Sequence, residues 1–234
     1  MSAPLTSSSA RLHAPADWLA AAQIARVVSV QDPLGKGRVQ VQLLAADPAG
    51  DAPIWARVAT AFAGNDYGMH AVPDVGEEVL VVFVGFDSAH PIVVGALWNG
   101  ATEPPDQFPG DAVDRWSLNG KAGTRIAIVE ESSGQERIEL LTPGGTSVVI
   151  TDEGGGKIQC DVAGSTVTID SSGMVLTSGA KVDITASGEC KITASKVSVQ
   201  AAMADFSGVV KCATLQATAG VISPSYTPGA GNIW

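Results

Sequence analysis

Between Arg125 and Leu215, pairs of apolar residues split by one polar position return every seven to twelve residues and settle near eight. The pairs are Ile126/Ile128, Ile138/Leu140, Val148/Ile150, Ile158/Cys160, Val167/Ile169, Met174/Leu176, Val182/Ile184, Cys190/Ile192 and Val197/Val199. Alternation is the period of a half-buried strand, and no helix keeps it over such a span. Small turns separate the pairs, among them Pro143-Gly144-Gly145, Gly154-Gly155-Gly156, Ser172-Gly173 and Ser187-Gly188. Each strand therefore has one apolar and one wet face, as with Lys181, Asp183 and Thr185 around Val182 and Ile184. Two inward side chains per strand are too few to close a core within one chain, so the pattern predicts three chains around a shared axis. At a strand spacing of roughly 4.8 Å, some ten stacked strands make a column on the order of 50 Å.

The chain before this column has a different pattern. Ile24 to Val30 reads as a strand, Asp32-Pro33-Leu34-Gly35-Lys36-Gly37 as a turn, and Arg38 to Leu43 alternates cleanly. Ile54 to Val58, the apolar run Glu78 to Val84, and Ile92 to Leu97 supply further strands, while Thr60 to Tyr67 reads as irregular. Five or six strands without a helical pattern suggest a small closed barrel of the oligonucleotide/oligosaccharide-binding (OB) type, because closure removes exposed edges. The expected class is therefore all-β: an N-terminal OB-fold barrel, then an intertwined triple-stranded β-helix, or triangular β-prism, in a homotrimer. The expected boundaries are a flexible segment over 1–16, the barrel over 17–100, and a linker over 101–124. The needle follows over 125–222 and a tip segment over 223–234.

Composition narrows the function. Lys plus Arg is 14 against 24 for Asp plus Glu, a formal charge of -10. Such a chain repels nucleic acid and is a poor candidate for binding it. The three cysteines, Cys160, Cys190 and Cys212, read as packed hydrophobes rather than a disulfide framework or thiolate site. His13, His70 and His90 are isolated, so no metal or cofactor is expected. The acidic pairs Glu77/Glu78, Glu130/Glu131 and Asp152/Glu153 are adjacent in sequence and do not face each other across a cleft as glycosidase carboxylates must. Neither a nucleophile elbow nor a phosphate-binding loop is present, and the expectation is that the chain is not an enzyme. The first residues lack the basic and apolar blocks of a signal peptide, which predicts synthesis in the cytoplasm.

A long, ordered set of residues resembles a known family. Asp32-Pro33-Leu34-Gly35-Lys36-Gly37-Arg38-Val39-Gln40-Val41, Ile54 to Ala59, Tyr67 to Val81 and Pro91 to Gly100 resemble the barrel of the baseplate assembly protein V family of contractile phage tails. The same stretches are similar to the VgrG-like spikes of type VI and extracellular contractile injection systems. Arg137-Ile138-Glu139-Leu140 and Thr142-Pro143-Gly144-Gly145 look like the start of that family's prism. The resemblance implies a central spike that pierces a target envelope when a sheath contracts. It implies a homotrimer, a separate hub protein at the barrel end, since no hub domains are read in this chain, and a PAAR-like protein at the tip. Effectors as cargo and transient contact with the target membrane belong to the same picture, as does residence in a virion or phage-tail-like particle, whether or not that particle leaves the cell.

The trimer core would then comprise Ile126, Ile128, Ile138, Leu140, Val148, Ile150, Ile158, Cys160, Val167, Ile169, Leu176, Val182, Ile184, Cys190, Ile192, Val197 and Val199. The tip seat would comprise Tyr226, Pro228, Asn232, Ile233 and Trp234. Rival readings are a phage tail spike of similar build, a trimeric tail fibre or adhesin, an oligonucleotide- or sugar-binding barrel, and a polysaccharide-cleaving single-chain β-helix. The last predicts a monomer with a carboxylate-lined groove, and a fibre predicts a sugar-binding head that the last dozen residues are too short to build.

Overall fold

The computed structural model describes residues 19–223. The expected flexible segment, His13 and all five tip residues (Tyr226, Pro228, Asn232, Ile233 and Trp234) lie outside the described residues. The chain divides into two units, Met1–Lys181 and Val182–Trp234.

The first unit opens with β1 (Gln23–Ser29), β2 (Val39–Leu43) and β3 (Ile54–Val58). A two-residue hairpin, β4 (Ala63–Gly64) and β5 (Tyr67–Gly68), stands in the stretch read as irregular, and β6 (Glu78–Phe83) and β7 (Pro91–Leu97) follow. The five longer strands form a closed barrel in the order β1-β2-β3-β7-β6, the connectivity of an OB fold. Only β3 and β7 run parallel; the other pairs are antiparallel.

The interior follows from strict alternation. Ala25 and Val27, Val39, Val41 and Leu43, and Val79, Val81 and Phe83 point inward from alternate positions, joined by Ala56 and Val93. Small and β-branched residues dominate because a five-stranded barrel has little room. Register shifts between Val27 and Ser29 and between Leu80 and Val81 mark bulges, which bend strands at barrel corners.

Seven more strands follow: β8 (Arg115–Asn119), β9 (Arg125–Val129), β10 (Arg137–Leu141), β11 (Ser147–Thr151), β12 (Lys157–Val162), β13 (Ser165–Asp170) and β14 (Gly173–Thr177). Each pairs antiparallel with the next, giving one open sheet whose edges are β8 and β14. The sheet begins at Arg115, inside the segment 101–124 read as a linker, and β8 to β14 pair with one another within the chain. Asn119-Gly120, within the segment read as a linker, starts the β8–β9 turn, in which Gly120 N–H donates to Thr124 O at 2.8 Å. Within the second unit, residues 182–223 form no strand in a single chain. Their apolar side chains are exposed, Val209 to 97%. Among the described residues, no helix is long and apolar enough to cross a membrane.

Candidate assembly surface

Strand register places the apolar pairs of the sheet in two rows that cross all seven strands. One row is Trp116, Ile128, Ile138, Ile150, Ile158, Ile169 and Met174, each directly paired with the next. The other is Leu118, Ile126, Leu140, Val148, Cys160, Val167 and Leu176. Directly paired residues project from the same side, so all fourteen side chains share one face. Among the described residues the face is largely open: Val148, Cys160 and Val167 are half-buried and the other eleven are exposed.

Of the seventeen expected core residues, eleven therefore stand together on this face. The other six, Val182, Ile184, Cys190, Ile192, Val197 and Val199, belong to the second unit, where they are exposed and in no strand. Sequence reasoning missed Trp116 and Leu118, although they form the same apolar–polar–apolar pair as the strands after them. Cys160, Cys190 and Cys212 are free thiols. Among the described residues, no group of three or more His, Cys, Asp or Glu side chains could hold a metal ion.

The opposite face holds the sheet's buried residues, Ala127, Val129 and Thr151, beside a set of paired charges. Along it Asp114, Arg115, Glu131, Arg137, Glu139, Arg125 and Asp106 form an unbroken chain of alternating charge. Arg115 binds Asp114 at 2.9 Å and also Glu131, and Arg137 reaches Glu139 at 2.6 Å and Glu131 at 3.5 Å. Arg125 spans Glu139 at 3.3 Å and both carboxylate oxygens of Asp106 at 2.9 Å, while the Ser117 hydroxyl also donates to Asp106. Asp106 and Asp114 belong to the segment before β8, so this ion chain straps that segment to the sheet. The Arg125 and Ser117 hydrogen bonds hold the Asp106 carboxyl below its ordinary range. For Glu139, burial pushes upward, but the Arg137 and Arg125 hydrogen bonds outweigh it and the net shift is down.

In the barrel, the turn between β1 and β2 is built around Asp32. Its carboxylate accepts the backbone N–H groups of Leu34 at 3.0 Å, Lys36 at 2.8 Å and Arg38 at 3.2 Å. It also takes the Arg38 guanidinium through Nη2 at 2.7 Å and Nε at 3.1 Å. Gly35 and Gly37 adopt φ of 60° and 67°, which only glycine enters without strain, so the chain can wrap this one carboxylate. The guanidinium carbon of Arg38 lies 5.5 Å from the centre of the Trp55 ring, a cation–π distance.

Residues 23–98, the barrel, match the family described as the type VI secretion system/phage-baseplate injector OB domain. The type VI secretion system spike protein VgrG4b of Pseudomonas aeruginosa is 36% identical over 109 residues, covering 44% of this chain and 14% of that protein. VgrG5 of the same organism, also a type VI spike protein, is 36% identical over 110 residues, with the same coverage of 44% and 14%. The actin cross-linking toxin VgrG1 of Vibrio cholerae is 33% identical over 89 residues, 37% of this chain and 8% of the toxin. The matched stretch thus spans a small part of each of these relatives. The barrel matches the injector OB-domain family of type VI secretion systems and phage baseplates, and the chain that carries it is similar to VgrG-family spike proteins.

Proposed function

We propose that this chain is the central spike of a contractile injection system, acting as a homotrimer whose shared core is built from the two apolar rows. The observation that carries the reading is the apolar face itself: fourteen aligned side chains, twelve of them Ile, Leu, Val or Met, eleven of the fourteen exposed among the described residues. Burying one such side chain contributes about 1.5–3 kcal/mol, and contiguous apolar patches of this size mark interaction sites. A barrel of the injector family joined to such a face supports a spike over a binding module.

In this reading, residues 125–222 form the needle, with Val182, Ile184, Cys190, Ile192, Val197 and Val199 joining the core once three chains wrap together. Residues 182–223 supply β-branched, alternating sequence that forms no strand within the chain, as interchain strands require. The barrel meets a hub protein, and Tyr226, Pro228, Asn232, Ile233 and Trp234 seat a PAAR-like tip protein. The role is mechanical: separating any section of the needle means separating three chains, so the needle resists axial load as it enters the target envelope. The protein is made in the cytoplasm and resides in a baseplate particle.

Immunogold electron microscopy of sheathed particles from the producing cell tests the role. Labels at the baseplate end of extended particles are the expected result. Labels confined to lateral fibres would replace the spike with the fibre reading.

A further inference from the structure

The sequence holds two Asn-Gly pairs, Asn99-Gly100 and Asn119-Gly120, and the fold treats them in opposite ways. Glycine after asparagine leaves its backbone nitrogen open to the neighbouring side-chain amide, because no Cβ stands in the way and the main chain turns freely. Asn99 and Gly100 are both exposed, and the Gly100 N–H has no hydrogen-bond partner among the described residues. Asn99 Oδ1 accepts the Ala101 N–H at 2.9 Å and the Thr102 hydroxyl at 3.2 Å, while Nδ2 donates to Glu78 Oε2 at 3.4 Å. The main chain closes the same turn: Thr102 N–H donates to Asn99 O at 3.0 Å, and Asn99 N–H donates to Thr102 Oγ1 at 3.1 Å.

Asn119-Gly120 is locked instead. The Gly120 N–H is committed to Thr124 O at 2.8 Å, and Asn119 is paired with Arg125 across the hairpin. Asn119 Nδ2 donates to Ser117 Oγ at 2.7 Å, and its Oδ1 takes the Arg125 guanidinium at 3.2 Å. Freeing the Gly120 nitrogen means breaking the hairpin turn.

We propose that Asn99 is a self-modifying site, converting in the folded protein to aspartate and isoaspartate through a cyclic imide with Gly100. Negative charge develops on Oδ1 as a nucleophile adds to Cγ, and the Ala101 N–H and Thr102 hydroxyl already point at that oxygen, as the donors of an oxyanion hole do. The turn also keeps the attacking nitrogen next to its target, which removes much of the entropy cost of ring closure. In the first step the Gly100 nitrogen gives its proton to water and bonds to Asn99 Cγ. The Cγ–Nδ2 bond breaks, and Nδ2 takes a proton from water and leaves as ammonia. Water then opens the imide at either carbonyl, so water is consumed, ammonia is released, and nothing is oxidised or reduced. The product carboxylate faces Glu78 in a cleft of about 400 Å³ that Glu77 and Glu103 also line. The iso form lengthens the main chain by one carbon just beyond β7, where the chain leaves the barrel for the sheet. Conversion thus marks the age of each copy at the barrel's connection to the sheet.

The test incubates the full chain at neutral pH in water labelled with heavy oxygen, then maps the label by peptide mass spectrometry, with isoaspartyl methyltransferase marking the iso form. The expected result is label at residue 99, entering at least about tenfold faster than at residue 119, because the second site must first give up backbone and side-chain hydrogen bonds. In denaturant the two sites should convert at equal rates. An Asn99 amide that survives unlabelled, or equal rates in the folded protein, would overturn the inference. A difference that persists in denaturant would do the same, since it would trace to sequence rather than to the turn. T102V removes the hydroxyl donor and should slow conversion roughly fivefold, whereas T102S keeps it and should match the native rate. A native rate in T102V would contradict the role given to the turn.

Discussion

The Asp32 carboxylate and the Arg38 guanidinium form a two-pronged ion pair across six residues of chain, and the same carboxylate collects three backbone N–H groups of the intervening turn. The Asp32 side chain is only 4% exposed. Removing it leaves Arg38 unpaired and three donors without their acceptor. Asp32→Ala is expected to lower the melting temperature of the barrel by roughly 5 °C or more, with Asp32→Asn intermediate because its amide oxygen still accepts. Arg38→Lys keeps the charge but loses the second prong and the flat contact with Trp55, so it too should melt earlier. Calorimetry of the three variants checks the ranking.

The same site gives a pH dependence. The Arg38 hydrogen bond, aided by the backbone N–H groups of Leu34, Lys36 and Arg38, holds the Asp32 carboxyl well below its ordinary 3.8. A carboxyl depressed on folding binds fewer protons in the folded state than in the unfolded state. Its contribution is fully present above that ordinary value and is lost as pH falls through the depressed one. Asp106 and Glu139 act in the same direction from ordinary values of 3.8 and 4.5. Denaturant midpoints are therefore expected to be flat from pH 7 to 5 and to fall below about pH 4. Asp32→Asn should show a shallower acid slope than the native chain.

Much of the barrel was legible in sequence because its strands bury one face against a fixed core, which forces alternation at Val39–Leu43 and Glu78–Phe83. The apolar rows were legible for the same reason. The β8 strand was not, because its hairpin turn at Asn119-Gly120 follows Pro104-Pro105 and Pro109-Gly110 closely, and such a cluster has the composition of a connection. The strap was invisible for a different reason: Asp106 and Arg125 lie nineteen residues apart, and ion pairs carry no periodicity. In-chain pairing of β8 to β14 also had no signature, since the same alternation serves strands from one chain or from three.

The apolar rows predict asymmetric effects of substitution. Ile138 stands in the middle of one row, whereas Gln159 faces the opposite side of the sheet. Ile138→Asp should prevent assembly, and Gln159→Ala should leave it intact. Leu140→Ala should weaken it by about 2–5 kcal/mol per copy. Light scattering coupled to size exclusion reads all three.

Breaking the strap should loosen the chain before β8 without dissolving the sheet. Arg125→Ala strands Asp106 and Glu139 together, half-buried and without their shared cation. Limited proteolysis between residues 99 and 114 should speed up severalfold, and 1 M salt should have a smaller effect because the pairs are partly shielded from solvent. Equal cleavage in native and variant chains would remove the strap from the account.

Thiol reactivity reports on the core. Cys190 and Cys212 are exposed in a single chain, and Cys160 is half-buried on an apolar row. In the assembled protein, Cys160 and Cys190 should resist maleimide labelling until the chains are separated by denaturant. Fast labelling of both under native conditions would place them outside any shared core.

The central claim is that three chains share one core, and native mass spectrometry combined with sedimentation velocity tests it most directly. The account predicts a species of three times the 23.8 kDa chain mass that sediments slowly for its size and persists in denaturant concentrations that melt single-chain β proteins. A compact monomer at micromolar concentration, stable with its apolar rows exposed to water, would contradict it.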